Sequence, residues 1–399
     1  MIYNSNELFK KMDESGIDII VASTKENINY FTGYSPVVKT LNPYHGQTFV
    51  VISKKEIDKI SIVIPIAEVD QIQDCKSQTL EVKTFGTFYR EHFDCELTEA
   101  ERELKELSNI ENSYEDAASA LENILNNSSE GQTVTIAIDE DSAGKSIIDK
   151  INSINTFNVV PASSLIRSVR RIKTSYEVEM LTQSARINEC AIKVVIDNLS
   201  EGMTEEEIRI LYETEIVRQG AIPSLTMIKI GRFAVGGQQT QKSHIKLKSG
   251  DLIWFDSDAN YQGFWSDIAR VYPYKIVTDK AIRFYSALEA SMKKAVETIK
   301  PGMKASEVFH IMMSTAKDNG MEHYRRHHVG HGIGHEPYEL PILSPTDETV
   351  LEEGMVISIE TPYYELGFGA LHIEDPIYIG RDRNVLLTCN PIPSLKVVN

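Results

Sequence analysis

The stretch that most constrains the fold is an apolar and aromatic run, Trp254 to Tyr272, that contains three aspartates. It reads WFDSDANYQGFWSDIARVY. Because side chains alternate along a strand, Asp256 and Asp258 lie on the same face of any strand formed here. A carboxylate removed from water is costly unless it is paired or binds a metal. The run therefore predicts either a site for a cation or a strand that is not buried.

A turn-like segment, NYQG at residues 260–263, divides this run into the two arms of a hairpin. Gly263 tolerates the positive φ that a tight hairpin turn requires. If the faces of the two arms coincide, Asp267 on the returning strand lies near the aspartates of the first. Like charges opposite each other destabilise a hairpin, so a divalent cation between them would reverse the sign of the interaction.

Two more carboxylates occur in β-type segments, Glu360 in VISIETP and Glu374 in HIEDPIYI. Between the hairpin and these segments lies RRHHVGHGIGHEPYELP, which is dense in His and Gly. Each acid taken alone is typical of a surface residue, and His327 and His328 could be plain surface residues. Together, four carboxylates and a histidine form an oxygen-rich site suited to a pair of Mn, Fe, Co or Zn ions. Such a pair can hold a hydroxide and polarise a carbonyl.

Composition excludes several classes of function. The formal net charge of −17 argues against nucleic acid as a partner, because phosphate binding requires a basic surface. Four scattered cysteines, without CxxC spacing, are typical of reduced thiols. The start of the chain lacks the basic-then-apolar order of a signal peptide, and no apolar run reaches the ~18 residues of a membrane span. We therefore expect a cytoplasmic protein with no membrane partner.

Strands that alternate with helices predict an α/β fold for the first part of the chain. The run ENINYFTGYSP is interpreted as a strand end and a turn, and residues 94–123 as a solvated acidic helix. A basic segment and a capping box, Thr174 with Glu177, then begin a long helical pattern. We place the boundary near residue 165, which gives domains 1–165 and 166–399. Further helices are predicted from Thr204, at 279–299 and at 304–319.

The order and spacing of the acidic and histidine positions resemble those of the pita-bread metallohydrolases. This family includes Xaa-Pro aminopeptidase, prolidase, methionine aminopeptidase and creatinase. Its pattern is an Asp, a second Asp eleven residues on, a His in GHGIG, a Glu in IEP and a Glu in RIED. NINYFTGYS and RRIKTSYEVEMLTQSA also resemble family segments, so the resemblance covers nearly the whole chain. The matching positions in this sequence are Asp256, Asp267, His331, Glu360 and Glu374.

The resemblance implies a creatinase-like amino-terminal α/β domain followed by a pita-bread catalytic domain with pseudo-twofold αβ symmetry. It also implies a homodimer and two divalent metal ions. Asp256 would bind one ion, Asp267 and Glu374 would bridge both, and His331 and Glu360 would complete the shell of the other.

The implied function is that of a metal-dependent hydrolase of the Xaa-Pro aminopeptidase or dipeptidase type. A metal-bridging hydroxide would attack an amide bond of a small peptide. Glu360 is the expected proton shuttle beside it. His335 matches the second histidine of the family, which contacts the substrate or the tetrahedral intermediate.

Four positions depart from the family pattern. His335 follows GHGIG directly, where the family has three intervening residues before its HE pair. Gln238 stands where family peptidases have a catalytic histidine, His372 replaces the Arg of RIED, and Asp258 gives DSD in place of DAG or DFG. Glutamine cannot shuttle a proton, although it can bind a carbonyl or an oxyanion. We expect all four residues to contact substrate, and Asp258 could also be an extra metal ligand.

These departures leave three functions open. The first is the Xaa-Pro peptidase. The second is a small-molecule hydrolase or lyase on the same scaffold, acting on a modified amino acid or a cationic metabolite. The third is a metal-free binding protein, against which the five intact ligand positions count.

Overall fold

The computed structural model describes residues 2–43, 45–75 and 80–399. The chain forms two compact units, the first ending at Arg170 and the second running from Arg171 to Asn399. The division coincides with the end of a helix, Ser163–Arg170, and position 165 lies inside that helix. Each unit has its own sheet and its own buried core.

The first unit is built on a six-stranded sheet with the order β4-β3-β2-β1-β5-β6. The pairs β1–β2 and β2–β3 are antiparallel, and the other pairs are parallel. Successive residues of the central strands enter different cores, since Ile20 and Val50 belong to one cluster and Val21 and Val51 to another. Burial on both faces explains why these strands are continuous apolar runs. The elements are α1 (Ser5–Glu14), β1 (Ile19–Ala22), α2 (Lys25–Thr32), α3 (Val37–Leu41), β2 (Phe49–Ser53), β3 (Ile60–Pro65), β4 (Leu80–Phe85), α4 (Glu99–Leu107), α5 (Ala117–Ser129), β5 (Val134–Ile138), α6 (Lys145–Asn152), β6 (Phe157–Pro161) and α7 (Ser163–Arg170).

Two predictions for this unit are corrected. The first part of ENINYFTGYSP, up to Thr32, belongs to the helix α2 and is not a strand end, because Thr24 caps the start of the helix and Gly33, at φ 74°, ends it. The acidic segment 94–123 is solvated only in part. The helix α4, all of which is described, has no buried residue, but α5 places Leu121 and Leu125 in the core.

The second unit contains an eight-stranded antiparallel sheet with the order β11-β10-β12-β15-β9-β8-β7, to which β16 adds beside β15. A separate hairpin pairs β13 with β14. The elements are α8 (Ser175–Asp197), α9 (Glu205–Arg218), β7 (Ile222–Ile230), β8 (Leu252–Tyr261), β9 (Phe264–Pro273), α10 (Asp279–Thr298), α11 (Ala305–Asp318), β10 (Gly330–Gly332), β11 (Glu339–Ile342), β12 (Val356–Glu360), β13 (Tyr363–Glu365), β14 (Gly369–Leu371), β15 (Glu374–Tyr378) and β16 (Val385–Leu386).

The predicted helices of this unit are confirmed, including the capping boxes at Thr174 and Thr204. Each half of the unit is a helix pair followed by strands of the common sheet. The helices α8 and α9 pack against the strands β7 to β9, while α10 packs on α11 and lies against β12. Trp254 contributes to the core of the α10–α11 pair, and its neighbour Phe255 to the core of the α8–α9 pair. The helices thus exclude water from both faces of β8.

The start of α9 is attached to the sheet by a buried ion pair, which generates a prediction about stability. Glu205 is fully buried and accepts hydrogen bonds from Lys229 Nζ, at 3.3 Å, and from the amides of Ile230 and Lys242. Glu205→Ala leaves a buried lysine without its carboxylate, so we expect the free energy of unfolding to fall by about 3–5 kcal/mol. The exposed Glu206→Ala is the control. Urea unfolding measures both, and equal midpoints for the two variants would contradict the prediction.

Candidate metal centre

The pairing register of the large sheet brings the acidic side chains to one face. Residues directly opposite each other in antiparallel strands point to the same side of a sheet. One such row joins Asp256 to Ala269, Ala269 to Glu374 and Glu374 to Glu360. Asp267, two residues before Ala269, shares this face. Four carboxylates from four strands therefore converge without any distortion of the sheet.

The histidine of GHGIG reaches the same face through the next strand. His331 on β10 pairs with Ser358 on β12, two residues before Glu360. Its Nε2 atom lies 3.5 Å from Asp267 Oδ2 and 3.9 Å from Glu374 Oε1. Its Nδ1 atom lies 2.9 Å from the carbonyl oxygen of Gly332. That contact favours a proton on Nδ1 and leaves the lone pair of Nε2 directed at the carboxylates.

Among the described residues, two sets of side chains have the spacing of metal ligands, and they share Glu374. The first set is Asp267, His331 and Glu374, and the second is Asp256, His372 and Glu374. In each set the ligand atoms lie within 4.8 Å of one another. The shared carboxylate is the arrangement expected of a pair of ions bridged by an acid.

The electrostatics of the cluster favour the binding of a cation. Burial, followed by the charges of Asp267 and Glu360, raises the pKa of Asp256 and of Glu374 well above the usual range. Within the described ranges, Asp267 Oδ1 and His331 Nε2 are fully buried and have no hydrogen-bond partner. Buried polar atoms are rarely left in this state. A carboxylate-rich set with one unpartnered imidazole nitrogen fits a divalent metal.

Glu360 is placed differently from the other acids because it lies between two imidazoles. Its Oε1 is 2.6 Å from His328 Nδ1, and its Oε2 is 3.3 Å from His372 Nε2. Burial opposes ionisation, but the contacts with these histidines outweigh it and hold the pKa of Glu360 below its usual value. Glu360 is therefore the acid of the cluster most favoured to remain ionised.

Asp258 lies on the same face of the sheet as Asp256 and Asp267, but it belongs to neither ligand set. It lies directly opposite Asp267 in the hairpin and is 4% exposed. Burial and the charge of Asp267 raise its pKa, and its own charge contributes to the raised pKa of the buried Tyr212 on α9. Asp258 therefore lies beside two of the expected ligands, Asp256 and Asp267, and its expected roles in substrate or metal binding stay predictions.

The structure does not bring Gln238 or His335 to the cluster in the way the sequence suggested. Gln238 is exposed, in the turn after a 3-10 helix, Gly231–Gly236. His335 is buried with its ring 4.2 Å from that of Phe264, and its amide donates to Glu339. In this structure His335 is therefore held by packing on Phe264 and by Glu339, and its expected substrate contact stays a prediction.

Tyr338 occupies the position that was expected for His335. Its ring stacks on His331, with 3.7 Å between centroids and 18° between planes. Counted without a gap, GHGIG is followed by three residues and then Tyr338 and Glu339, which matches the family pattern GHGIGxxxHE with Tyr in place of His. By this count the three intervening residues are present, and the ungapped alignment places Tyr338, and not His335, at the position of the second family histidine.

A cavity of about 710 Å³ is lined by Arg326 and Tyr364, both of which interact electrostatically with Asp256 of the cluster. Three further basic or histidine residues and one acid also line it: Lys280, His323, Arg325 and Glu365. The guanidinium carbon of Arg326 lies 6.0 Å from the ring centroid of Tyr364, and its charge favours ionisation of Asp256. The cavity is thus a positively charged approach to a negatively charged cluster.

Comparison with known proteins identifies the family. The profile of metallopeptidase family M24 matches residues 179–381, and that of the creatinase/prolidase N-terminal domain matches residues 6–172. The chain belongs to metallopeptidase family M24. It is therefore a hydrolase with an amino-terminal creatinase-like α/β domain and an M24 pita-bread catalytic domain, as the resemblance predicted.

Relatives agree with this assignment over the full length of the chain. The chain is 28% identical to the Xaa-Pro dipeptidase of Pyrococcus furiosus, over 94% of each protein. The crystal structure of the P. furiosus prolidase superposes with a TM-score of 0.70 at 27% identity, covering 95% of this chain and 98% of that one. An Xaa-Pro dipeptidase from Bacillus anthracis has the same fold, with a TM-score of 0.78 at 22% identity and 99% coverage of both chains. No helix in the described part of the M24 chain is long and apolar enough to span a bilayer.

Sequence reasoning missed three residues at the M24 site: Arg326, His328 and Tyr338. The sequence signal for His328 was its position three residues before His331, but His328 was interpreted as a surface residue. The signal for Tyr338 was the ungapped count from GHGIG. Arg326 gave no signal, because its approach to Asp256 depends on the path of a loop.

Asp258 lies opposite the ligand Asp267 but belongs to neither ligand set, which generates a prediction about stability and metal content. Asp258→Asn removes one of two opposed buried carboxyl groups, so we expect stabilisation by about 1 kcal/mol, or roughly 2–4 °C in melting temperature. Metal content should remain that of the wild type. Asp267→Asn is the matched variant, and it should lose metal because its carboxylate belongs to a ligand set. Calorimetry and elemental analysis measure both, and loss of metal from Asp258→Asn would show that Asp258 is a ligand.

Proposed function

We propose that this protein is a dinuclear metal-dependent peptidase that cleaves short peptides of the Xaa-Pro type and prefers dipeptides. The observation that carries the proposal is the pair of ligand sets sharing Glu374 in an M24 fold. The names of the relatives, Xaa-Pro dipeptidase and prolidase, support the substrate class. A homodimer, a cytoplasmic location and a domain boundary near residue 165 remain predictions.

Five residues would hold two ions of Mn, Co, Fe or Zn. When bound, such ions polarise a carbonyl group and lower the pKa of a water molecule. Glu374 lies between the two sets and would bridge them, and Asp267 would do so from the neighbouring strand. The proposed ligands are Asp256, Asp267, His331, Glu360 and Glu374.

Glu360 is the residue that we propose accepts a proton during catalysis. Its contacts with His328 and His372 favour its ionised form, which a general base requires. His328 has 12% of its side chain exposed, so a proton accepted by Glu360 has a short path through this imidazole toward solvent. His328 thereby supplies a titratable group that Gln238 cannot.

Tyr338 is the proposed substrate contact in place of His335. Its stacking on His331 fixes the ring beside the ligands, while 54% of the residue remains exposed. A phenol can donate a hydrogen bond to a developing oxyanion. Burial, followed by the carboxylates of the cluster, raises the pKa of Tyr338, which keeps the phenol protonated.

Arg326 is the proposed binding residue for the carboxylate of a dipeptide. It lines the cavity, and its Nε atom is buried without a hydrogen-bond partner in the described part of the chain. Guanidinium groups bind carboxylates through paired, charge-assisted hydrogen bonds. A free carboxylate close to the scissile bond is present in a dipeptide and absent there in longer peptides.

A second candidate function is a small-molecule hydrolase or lyase on the same scaffold. One observation favours it: the position of the expected peptidase histidine is Gln238, which is exposed and lies in a turn. Its substrate would be a modified amino acid or a cationic metabolite. Metal binding without turnover of any proline peptide would favour this candidate over the first.

The first test measures metal and substrate together. Protein purified without chelator should contain close to two ions per chain, and less than ~0.2 ion per chain would indicate a metal-free binding protein. With added Mn or Co, we expect Ala-Pro to be cleaved with a kcat/KM at least ~10-fold above that for Ala-Ala. Chelator should abolish both activities. Equal rates for the two dipeptides would reject the Xaa-Pro assignment.

The second test addresses Arg326. Arg326→Met removes a charge-assisted pair worth about 1.5–3 kcal/mol, so KM for Ala-Pro should rise by roughly 10–100-fold. Arg326→Lys should restore part of the loss. The amide of Ala-Pro, which has no carboxylate, serves as the control substrate and should be affected little by either change. An equal loss on both substrates would show that Arg326 acts on the cluster and not on the carboxylate.

A further inference from the structure

We propose that His372 is itself a metal ligand, completing the shell of the ion held by Asp256 and Glu374. The family pattern has arginine at this position, and the sequence alone suggested a substrate contact. The inference rests on the metal-binding part of the proposed function and is independent of the peptide substrate.

The placement of His372 supports coordination. It lies one residue after β14 and two before Glu374, and it is 1% exposed. Its Nδ1 atom is 3.6 Å from Asp256 Oδ2, and its Nε2 atom is 3.5 Å from Glu374 Oε2. Ligand atoms bound at about 2.1 Å to one ion are separated by roughly 3.0–3.5 Å in tetrahedral or octahedral geometry. The two contacts use different ring nitrogens, and an imidazole binds an ion through one of them. The observation that supports coordination is that one ring nitrogen of His372 lies within 4.8 Å of a carboxylate oxygen of Asp256 and of one of Glu374.

The hydrogen-bonding state of the ring points the same way. Both ring nitrogens are fully buried, and neither has a hydrogen-bond partner of good geometry among the residues that the structure describes. A neutral imidazole has one N–H and one lone pair. Coordination uses the lone pair, and the remaining N–H can turn to a neighbouring carboxylate, as ligating histidines commonly do.

The residues around His372 hold its imidazole ring in place, and they include a positively charged group. The ring lies nearly parallel to that of Trp254, at 18° and 6.4 Å between centroids. An arginine has five donors and no lone pair, so it cannot ligate a metal. A positive charge close to this ligand set is present on Arg326, which favours ionisation of Asp256. His372 is therefore free to act as a ligand.

The result is a nearly symmetrical centre in which each ion has one aspartate, one imidazole and a share of Glu374. His331 serves the Asp267 side and His372 the Asp256 side. A second nitrogen favours the later first-row metals over Mn, because imidazole is the softer ligand.

The experiment is X-ray absorption spectroscopy of the protein loaded with two Co ions per chain, with imidazole scattering as the readout. We expect an average of about one imidazole per ion, and about one for every two ions if His331 is the sole ligating histidine. The wild-type measurement needs no variant to fold. The lower value would overturn the proposal, as would failure to bind any metal.

Variants provide the second arm of the test. His372→Ala should reduce the imidazole count by half and weaken binding of one ion by roughly 10–100-fold, while the other ion is retained. His335→Ala removes a buried histidine that packs on Phe264 and should leave the imidazole count unchanged. His372→Arg restores the family residue and should resemble His372→Ala in the spectrum. Unchanged spectra in both His372 variants would reject the assignment.

The outcomes separate this inference from the proposed function. Two bound ions with two imidazoles and no cleavage of proline peptides would support the ligand and reject the substrate. Cleavage of Ala-Pro with a single imidazole for two ions would support the substrate and reject the ligand.

Discussion

The repulsion between buried carboxylates is the constraint on which the catalytic unit depends. Asp256, Asp267, Glu360 and Glu374 lie on one face of one sheet because the strand register gives them no other place. Burying like charges at this density is costly unless the carboxyl groups are protonated or a cation compensates for them. The other interactions in this unit hold the four acids together and keep water away from them.

The scaffold meets that requirement with buried polar pairs next to the ligands. Arg270, fully buried, donates to the carbonyl of Glu374 and to Asp375 Oδ1 at 2.6 Å, so it joins β9 to β15 at the point where their acids meet. Ser358 donates to Glu374 Oε1 at 2.8 Å and orients the shared carboxylate. Hydrogen-bond partners of this kind fix the orientation of the ligand side chains. The two helix pairs then exclude solvent from the sheet.

The departures from the family pattern are linked once they are seen in three dimensions. Histidine in place of arginine at His372 removes a cation, and Arg326 supplies one from a different loop. Tyrosine in place of histidine at Tyr338 removes a titratable group, and His328 supplies one beside Glu360. The site of this chain therefore contains a guanidinium that acts on Asp256 and an imidazole beside Glu360. These groups favour hydrolytic chemistry over a binding role.

The sequence alone determined the family, the two-domain fold and the convergence of the acids, because strand alternation and the spacing of a hairpin depend only on local geometry. It also determined the capped helices at Thr174 and Thr204, whose signals are contained in four residues. It failed at α2, where a distant Asp139 and two caps override the strand-like composition. Only the tertiary structure decided that Tyr338 and not His335 lies on His331, and that His372 faces the acids. Those outcomes depend on loop paths and on contacts between residues far apart in the chain, which no local pattern encodes.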